Sequence, residues 1–358
     1  MKTKFIIICL FFMGCMDDPL NYYGYQDFDV LPVGTKITDI MISPDNSTLI
    51  STDKTNNSIL IVDVENEMKL RKKVWVGSEP TSLDMNSDGT LAYVGLNGGS
   101  MIAVVDIIAD TLVRHLEADE NHPYDIVLVD DERMLVSFLN IDGGSRLTKL
   151  YGINLDSDEL NLISSVTAAG PITLSGSNVF IMDNFYGHFR LYKYLITDSG
   201  LSFSGYSSPI IPTDQSGFWD IKNIPDAGIA LGIKGNDFEG NPIDHALLFD
   251  VEDLDLLSSL DVGSDPIGIS SMPDGSRVFV APLDADDFGV FIIEFSSDTY
   301  LESNYYLLNG NVSPGSLEVD RLGEYLYVAV DNLSDNGNFE PYSSNSFDIQ
   351  RVKIEPIG

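Results

Sequence analysis

Two short runs set carboxylates beside an aromatic ring: Asp237-Phe238-Glu239 and Asp286-Asp287-Phe288. A third stretch, Asp331 to Ser346, carries Asp335, Phe339 and Tyr342, and Trp219 stands in Gly217-Phe218-Trp219-Asp220. Acids next to aromatic faces suit a basic peptide, a protein partner or a sugar. Carboxylate and amide oxygens also suit Ca²⁺, which takes about six to eight oxygen ligands. Asp331 and Asp335 are the candidate ligands, the latter in Asp335-Asn336-Gly337-Asn338, whose spacing is not that of an EF-hand. The competing reading is plain: solvated turns rich in Asn, Asp and Gly, and for Trp219 a core aromatic. Both readings stay open on the sequence.

Catalytic signatures are missing. The four histidines, His115, His122, His188 and His245, do not pair at metal-ligand spacing, and there is no His-Glu-x-x-His. His122 lies in Asn121-His122-Pro123 and reads as a turn residue at the entry to a strand; His115 falls in an outer strand. No Gly-x-Ser-x-Gly elbow, Walker loop or Gly-x-Gly-x-x-Gly run occurs. The two cysteines, Cys9 and Cys15, both lie near the N-terminus, so thiolate metal sites and disulfides are not expected in the remainder.

The ends and the charge bound the setting. Lys2 and Lys4 precede an apolar run from Phe5 to Met13, too short for a permanent span. Phe12-Met13-Gly14-Cys15 resembles a bacterial lipobox, with residues 1–14 as a lipoprotein signal peptide, Cys15 as the lipidated residue and 15–25 as a linker. Acyl chains contribute about 0.8 kcal/mol per buried methylene, which would hold the chain at a membrane. Met16-Asp17-Asp18 resembles a surface-export signal, so the expected location is the bacterial cell envelope: outer membrane, periplasmic or surface-exposed. With 20 basic and 55 acidic residues the formal net charge is −35, which argues against nucleic acid as a partner.

The elements that must position the candidate residues come from a repeat. From about Ile37 onward a unit of about 45 residues recurs about seven times, each reading as four short strands. Gly77-Ser-Glu-Pro80 leads to Asn86-Ser-Asp-Gly89, as Gly263-Ser-Asp-Pro266 leads to Met272-Pro-Asp-Gly275. In the third strand of the first unit Ile59 and Ile61 point one way while Leu60, Val62 and Val64 point the other, as suits a strand covered on both faces. The expected fold is all-β: a seven-bladed β-propeller over 26–358, closed by an N-terminal strand within Gln26–Gly34 that pairs with the last blade and removes a bare edge. On such a ring the loops Lys234–Asp244, Leu283–Phe288 and Asp331–Ser346 share one face of blades five to seven.

Leu91-Ala92-Tyr93-Val94-Gly95, Arg277-Val278-Phe279-Val280-Ala281 and Leu326-Tyr327-Val328-Ala329-Val330 each follow a Gly-containing turn and form a second strand. These segments resemble the YVTN-type β-propellers, the seven-bladed repeat family of surface-layer proteins and lactonase-like enzymes. The resemblance implies architecture more than chemistry. The expectation is a lipid-anchored, non-catalytic binding or scaffold module for a protein, peptide or glycan, with Trp219, Asp237, Phe238, Glu239, Asp286, Asp287, Phe288, Phe339 and Tyr342 at the contact. The alternative is a lactonase-like hydrolase with a metal or acidic site at the channel mouth. No cofactor is certain; Ca²⁺ is the candidate.

Overall fold

A computed structural model describes residues 21–22, 28–65, 67–139, 146–183, 190–208, 217–236, 242–262, 266–282, 289–296, 299–308, 311–331 and 347–355. The fold is an all-β β-propeller. The strands are hydrogen-bonded into seven sheets that follow the chain. The first sheet holds Ile40–Ile42, Thr48–Asp53, Ser58–Asp63 and Lys69–Trp75. The second holds Pro80–Met85, Leu91–Leu96, Met101–Asp106 and Thr111–Glu117. The third runs Pro123–Asp130, Arg133–Leu139, Arg146–Gly152 and Asn161–Val166, and the fourth Ile172–Ser175, Asn178–Asp183, Arg190–Thr197 and Gly200–Tyr206. The fifth is Gly217–Ile224, Gly228–Asn236, Pro242–Phe249 and Leu256–Asp261. The sixth is Pro266–Ser271, Arg277–Pro282, Gly289–Ser296 and Thr299–Leu307, with Asn21–Tyr22 added in parallel at its outer edge. The seventh takes Asn311–Val319, Tyr325–Asp331 and Phe347–Lys353 from the end of the chain, and Phe28–Pro32 from its beginning as the outer strand.

That last pairing is antiparallel, from Phe28 opposite Val352 to Pro32 opposite Asp348, and Val33 and Gly34 donate to the Phe347 carbonyl. An ion pair between Asp29 and Arg351 fastens it, and Arg351 also donates to the Val64 carbonyl of the first sheet.

The core is divided between sheets. Each of seven apolar clusters lies between two neighbouring sheets. The strand Ser58–Asp63 shows the rule. Ile59 and Ile61 pack with Val94, Ala103 and Val105 of the second sheet. Leu60 and Val62 pack with Tyr327, Ala329 and Ile349 of the seventh. The alternation in the sequence therefore reads out which neighbour each side chain meets. Burying each such aliphatic chain contributes about 1.5–3 kcal/mol.

The turns after the inner strands repeat as well. The Gly89 and Gly275 N–H groups each donate back three residues, to the carbonyls of Asn86 and Met272, at φ values of 71° and 70°. That left-handed geometry favours glycine. At Gly275 a Cβ would also sit 2.0 Å from the Pro225 carbonyl oxygen, so no other residue fits without moving the fifth sheet.

Candidate functional site

Most of the residues singled out in the loops, Asp237, Phe238, Glu239, Asp286, Asp287, Phe288, Asp335, Phe339 and Tyr342, lie outside the described residues, as does Cys15. The second strands of the fifth, sixth and seventh sheets end at Asn236, Pro282 and Asp331. They run in the same sense, so the three connections leave from one face.

Two boundaries differ from expectation. Lys234–Asp244 is not a loop throughout: the hairpin continues through Lys234 opposite Asp244 and Gly235 opposite Ile243 to Asn236 opposite Pro242. Continued pairing satisfies backbone groups that an open loop would leave to water. Asp331 likewise belongs to the ladder, opposite Asn311 on one side and Phe347 on the other. Trp219 lies in the inner strand Gly217–Ile224, at a register shift between Phe218 and Asp220. Inner strands of the second, third and sixth sheets carry the same shift one residue after proline, at Thr81, Tyr124 and Ile267.

His122 is a turn residue, at φ 63° with its ring Nδ1 2.7 Å from the Asn97 carbonyl. His115 does more than cover surface. Its Nε2 lies 2.7 Å from the Val76 carbonyl and its ring meets Trp75 edge-on, tying the outer strand of the second sheet to the end of the first.

The densest chemistry of the described residues lies on the inner strands. Asp39, Asp125 and Asp220 occupy equivalent places in the first, third and fifth sheets. Each accepts the N–H of its own following residue: Ile40 at 2.8 Å, Ile126 at 2.8 Å and Ile221 at 2.8 Å. The second carboxylate oxygen accepts an N–H from the inner strand of the next sheet: Leu83 at 2.7 Å, Ile172 at 2.7 Å and Ile269 at 2.9 Å. In the second, fourth and sixth sheets the bridging residue stands two places further along. There Asp84 accepts from Leu128 at 2.6 Å, Thr173 from Asn223 at 3.2 Å and Ser270 from Val319 at 3.0 Å. An inner strand is a sheet edge with unpaired N–H groups facing the axis. Here the neighbour's side chain answers them, so side chains zip sheet to sheet around the axis in two alternating registers.

These half-buried carboxylates lie near enough to act on one another. Burial pushes Asp125 up to about 7, with Asp220 and Asp84 adding to the rise. Burial likewise pushes Asp84 and Asp220 up to about 6, against the pull of their backbone donors. Asp39 is raised well above the usual carboxylate range by burial, with Asp125 and Asp220 contributing. Cations oppose the rise: Lys222 and Arg321 both pull Asp84 down, and Lys222 of the fifth sheet reaches Glu318 of the seventh at 3.0 Å, which holds its ammonium above the ordinary lysine value. This ring was not singled out from the sequence. An Asp inside an apolar strand, as in Tyr124-Asp125-Ile126 and Trp219-Asp220-Ile221, was the signal that could have found it.

Chemically, a carboxylate that accepts two backbone N–H bonds is a brace. Each oxygen accepts one backbone N–H and keeps a further lone pair. Among the described residues no group of three or more His, Cys, Asp or Glu is placed to hold a metal ion.

A second feature is exposed. On the outer part of the fourth sheet Phe203 and Tyr206 are 56% and 53% exposed, and Tyr192 and Tyr194 lie beside them. The Arg190 guanidinium sits 4.3 Å over the Tyr206 ring.

The fold defines the class as a β-propeller, and known structures agree. The chain is similar to a Kuenenia stuttgartiensis hydrazine synthase structure, at 16% identity and a TM-score of 0.67, over 94% of this chain and 98% of that one. It is similar to U3-55K, at 12% identity and a TM-score of 0.68, over 92% and 98%. It also resembles the β-propeller domain of Myceliophteria thermophila Cps50 (Swd1), at 12% identity and a TM-score of 0.64, over 92% and 100%. At these identities the likeness is one of fold alone. No family model and no curated protein matches the sequence.

Proposed function

We propose that the chain is a non-catalytic binding module: a seven-bladed propeller of YVTN type, closed by its N-terminal strand and tethered at the bacterial cell envelope through a lipid on Cys15. Its partner is a protein, peptide or glycan that meets the face bearing Trp219 and the connections after Asn236, Pro282 and Asp331, with Ca²⁺ at Asp331 and Asp335 as an accessory ligand. The observation that carries the non-catalytic reading is the double backbone pairing of Asp39, Asp84, Asp125 and Asp220. These axial acids serve to bridge the sheets. The likeness to U3-55K and to the Cps50 propeller supports the propeller architecture on which this reading rests. The seven sheets, the apolar clusters between them and the pairing of Phe28–Pro32 with Phe347–Lys353 support the closed ring.

The test is a lactone and ester hydrolysis screen with and without chelator, beside metal analysis of the purified chain. The expected result is no turnover. Turnover abolished by Asp286→Ala or Asp237→Ala would establish the lactonase-like alternative. In parallel, Trp219→Ala, Phe238→Ala and Phe288→Ala are expected to weaken partner capture from native membranes with the melting temperature unchanged; undiminished capture in all three removes this face. Cys15→Ala is expected to release the chain from the membrane fraction.

A further inference from the structure

The side of the fourth sheet that faces the third carries four aromatic rings in a closed circuit. Between ring centroids, Tyr192 lies 6.5 Å from Tyr194, Tyr194 5.7 Å from Phe203, Phe203 6.1 Å from Tyr206, and Tyr206 6.0 Å from Tyr192. The inner pair, Tyr192 and Tyr194, packs with the apolar cluster between the third and fourth sheets. Phe203 and Tyr206, on the outer strand, are more than half exposed. Their planes are inclined by 36°, so the surface is creased and not flat. One end of the gap between the two sheets is shut, since a Cβ on Gly200 would stand 2.6 Å from the Ser164 Cβ. The gap is open further along the same strand, where Phe203 and Tyr206 stand.

The polar groups among these rings are unmet. None of the Tyr192, Tyr194 and Tyr206 hydroxyls has a hydrogen-bond partner among the described residues. Tyr194 stands out, because a buried tyrosine hydroxyl usually has one. The residue is only 6% exposed, yet its hydroxyl is not sealed from water. Burial, with Tyr192 and Asp183 adding, pushes that hydroxyl up to about 12. At neutral pH it therefore keeps its proton and can both donate and accept. The Arg190 guanidinium lies 4.3 Å over the Tyr206 ring. Asp183 stands opposite Arg190 in the ladder, but Arg190 has no carboxylate partner among the described residues. Its N–H donors are left available beside the rings.

Open aromatic faces beside unmet hydroxyls and a guanidinium match a molecule with apolar faces and a polar edge. A pyranose is built in that way, with C–H groups on its faces and hydroxyls around its rim; its polarised C–H groups meet the negative face of an aromatic ring. Tyrosine and sugar hydroxyls each donate and accept, so both halves of the pairing are met. A proline-rich peptide also suits aromatic grooves, but it offers carbonyl acceptors and few N–H donors. Charge decides between neutral and acidic sugars. Neither Gly200–Tyr206 nor the neighbouring outer strand Asn161–Val166 carries a charge. The chain as a whole stands at −35, so an acidic glycan would be repelled over its whole approach. We propose that this creased aromatic face binds a neutral, unbranched glycan, with sugar rings stacked on Phe203 and Tyr206 and hydroxyls bonded to Tyr194 and Arg190. The site is separate from the loop face of the fifth to seventh sheets and does not depend on what that face binds.

The experiment is titration calorimetry on the full chain with cellohexaose, xylohexaose and mannohexaose, and with the hexamer of galacturonic acid and decaproline as comparators. At least one neutral hexasaccharide is expected to bind, and its monosaccharide to bind at least about tenfold more weakly because it covers fewer rings. Phe203→Ala, at an exposed position, is expected to weaken the hexasaccharide about tenfold with an unchanged melt. Tyr194→Phe keeps the ring and removes the hydroxyl, and is expected to weaken it about fivefold. Trp219→Ala is expected to leave it unchanged. Three outcomes overturn the proposal: no heat from any neutral hexasaccharide at about 10 mM, galacturonate or decaproline binding more tightly than all three, or an affinity untouched by Phe203→Ala. In the last case, a loss in Trp219→Ala would move the glycan to the loop face.

Discussion

The inner and outer edges of the sheets face the same physical problem and meet it differently. Both are rows of backbone groups without a partner strand. At the axis six successive junctions use one device, a side chain from the neighbouring inner strand, in two alternating registers. At the rim the devices vary. The outer strand Lys69–Trp75 of the first sheet carries Lys69, Arg71, Lys72 and Lys73, charges that repel a second edge. The sixth sheet is overlaid by Asn21–Tyr22, and the last strand of the seventh is covered by Phe28–Pro32. The fourth sheet ends instead on Gly200–Tyr206, with Phe203 and Tyr206 exposed. The uniform region joins sheet to sheet, and the varied region guards each outer edge in its own way.

That contrast is most severely tested by removing a rim device that also joins the chain ends. Deleting residues 22–32 strips the outer strand of the seventh sheet, the Asp29–Arg351 pair and the Leu31 contact. It is expected to lower the melting temperature by about 10 °C or more. A melt within about 2 °C of the parent would mean that the seventh sheet does not depend on this strand.

Next in size is the axis. Asp125→Ala leaves the Ile126 and Ile172 N–H groups without acceptors and is expected to destabilise by about 2–4 kcal/mol in urea unfolding. Asp125→Asn keeps one acceptor oxygen and should lose less. Equal unfolding midpoints for Asp125→Ala and the parent would remove the bracing role.

A pH series makes a finer cut. In the folded chain Asp84 and Asp220 titrate at about 6 and Asp125 at about 7, all above the ordinary value of 3.8. Between those limits the folded chain keeps protons that the unfolded chain has released, so these groups favour folding less as pH rises through that window. Stability is therefore expected to fall from about pH 5 to about pH 8, and Asp125→Asn should flatten that slope. Acids held low by local donors, such as Asp45, act in the opposite sense but only nearer their own lower titration range. A slope identical in parent and Asp125→Asn would show that the overall negative charge, not this ring, sets the pH dependence. The smallest stability effect belongs to the rim: Phe203→Ala should shift the melt by about 1 °C or less.

Much of this organisation was legible in the chain because it is local or periodic. Alternation in Ile59–Val62 showed a strand covered on both faces, and Asn86-Ser-Asp-Gly89 located a turn whose glycine is left-handed in the structure. The axial ring was hidden because its partners lie one repeat away: Asp39 and Leu83 are 44 residues apart, and Asp220 and Ile269 are 49. In a chain with 55 acidic residues, each of these aspartates reads as one more solvated charge. The span Lys234–Asp244 read as a loop because Gly235, Asn236 and Pro242 are turn formers, yet the ladder runs through them. Arg277 looked like part of an ordinary second strand, and only the packing of the sixth sheet against the seventh shows its buried, unmet Nε–H.

The most direct measurement is amide hydrogen exchange at Ile172 in the parent and in Asp125→Ala. Bracing by Asp125 predicts a slowly exchanging Ile172 amide in the parent. It predicts at least about tenfold faster exchange in the variant, with the Leu83 amide, held by Asp39, unaffected. An Ile172 amide that exchanges at the same rate in both proteins would contradict the account.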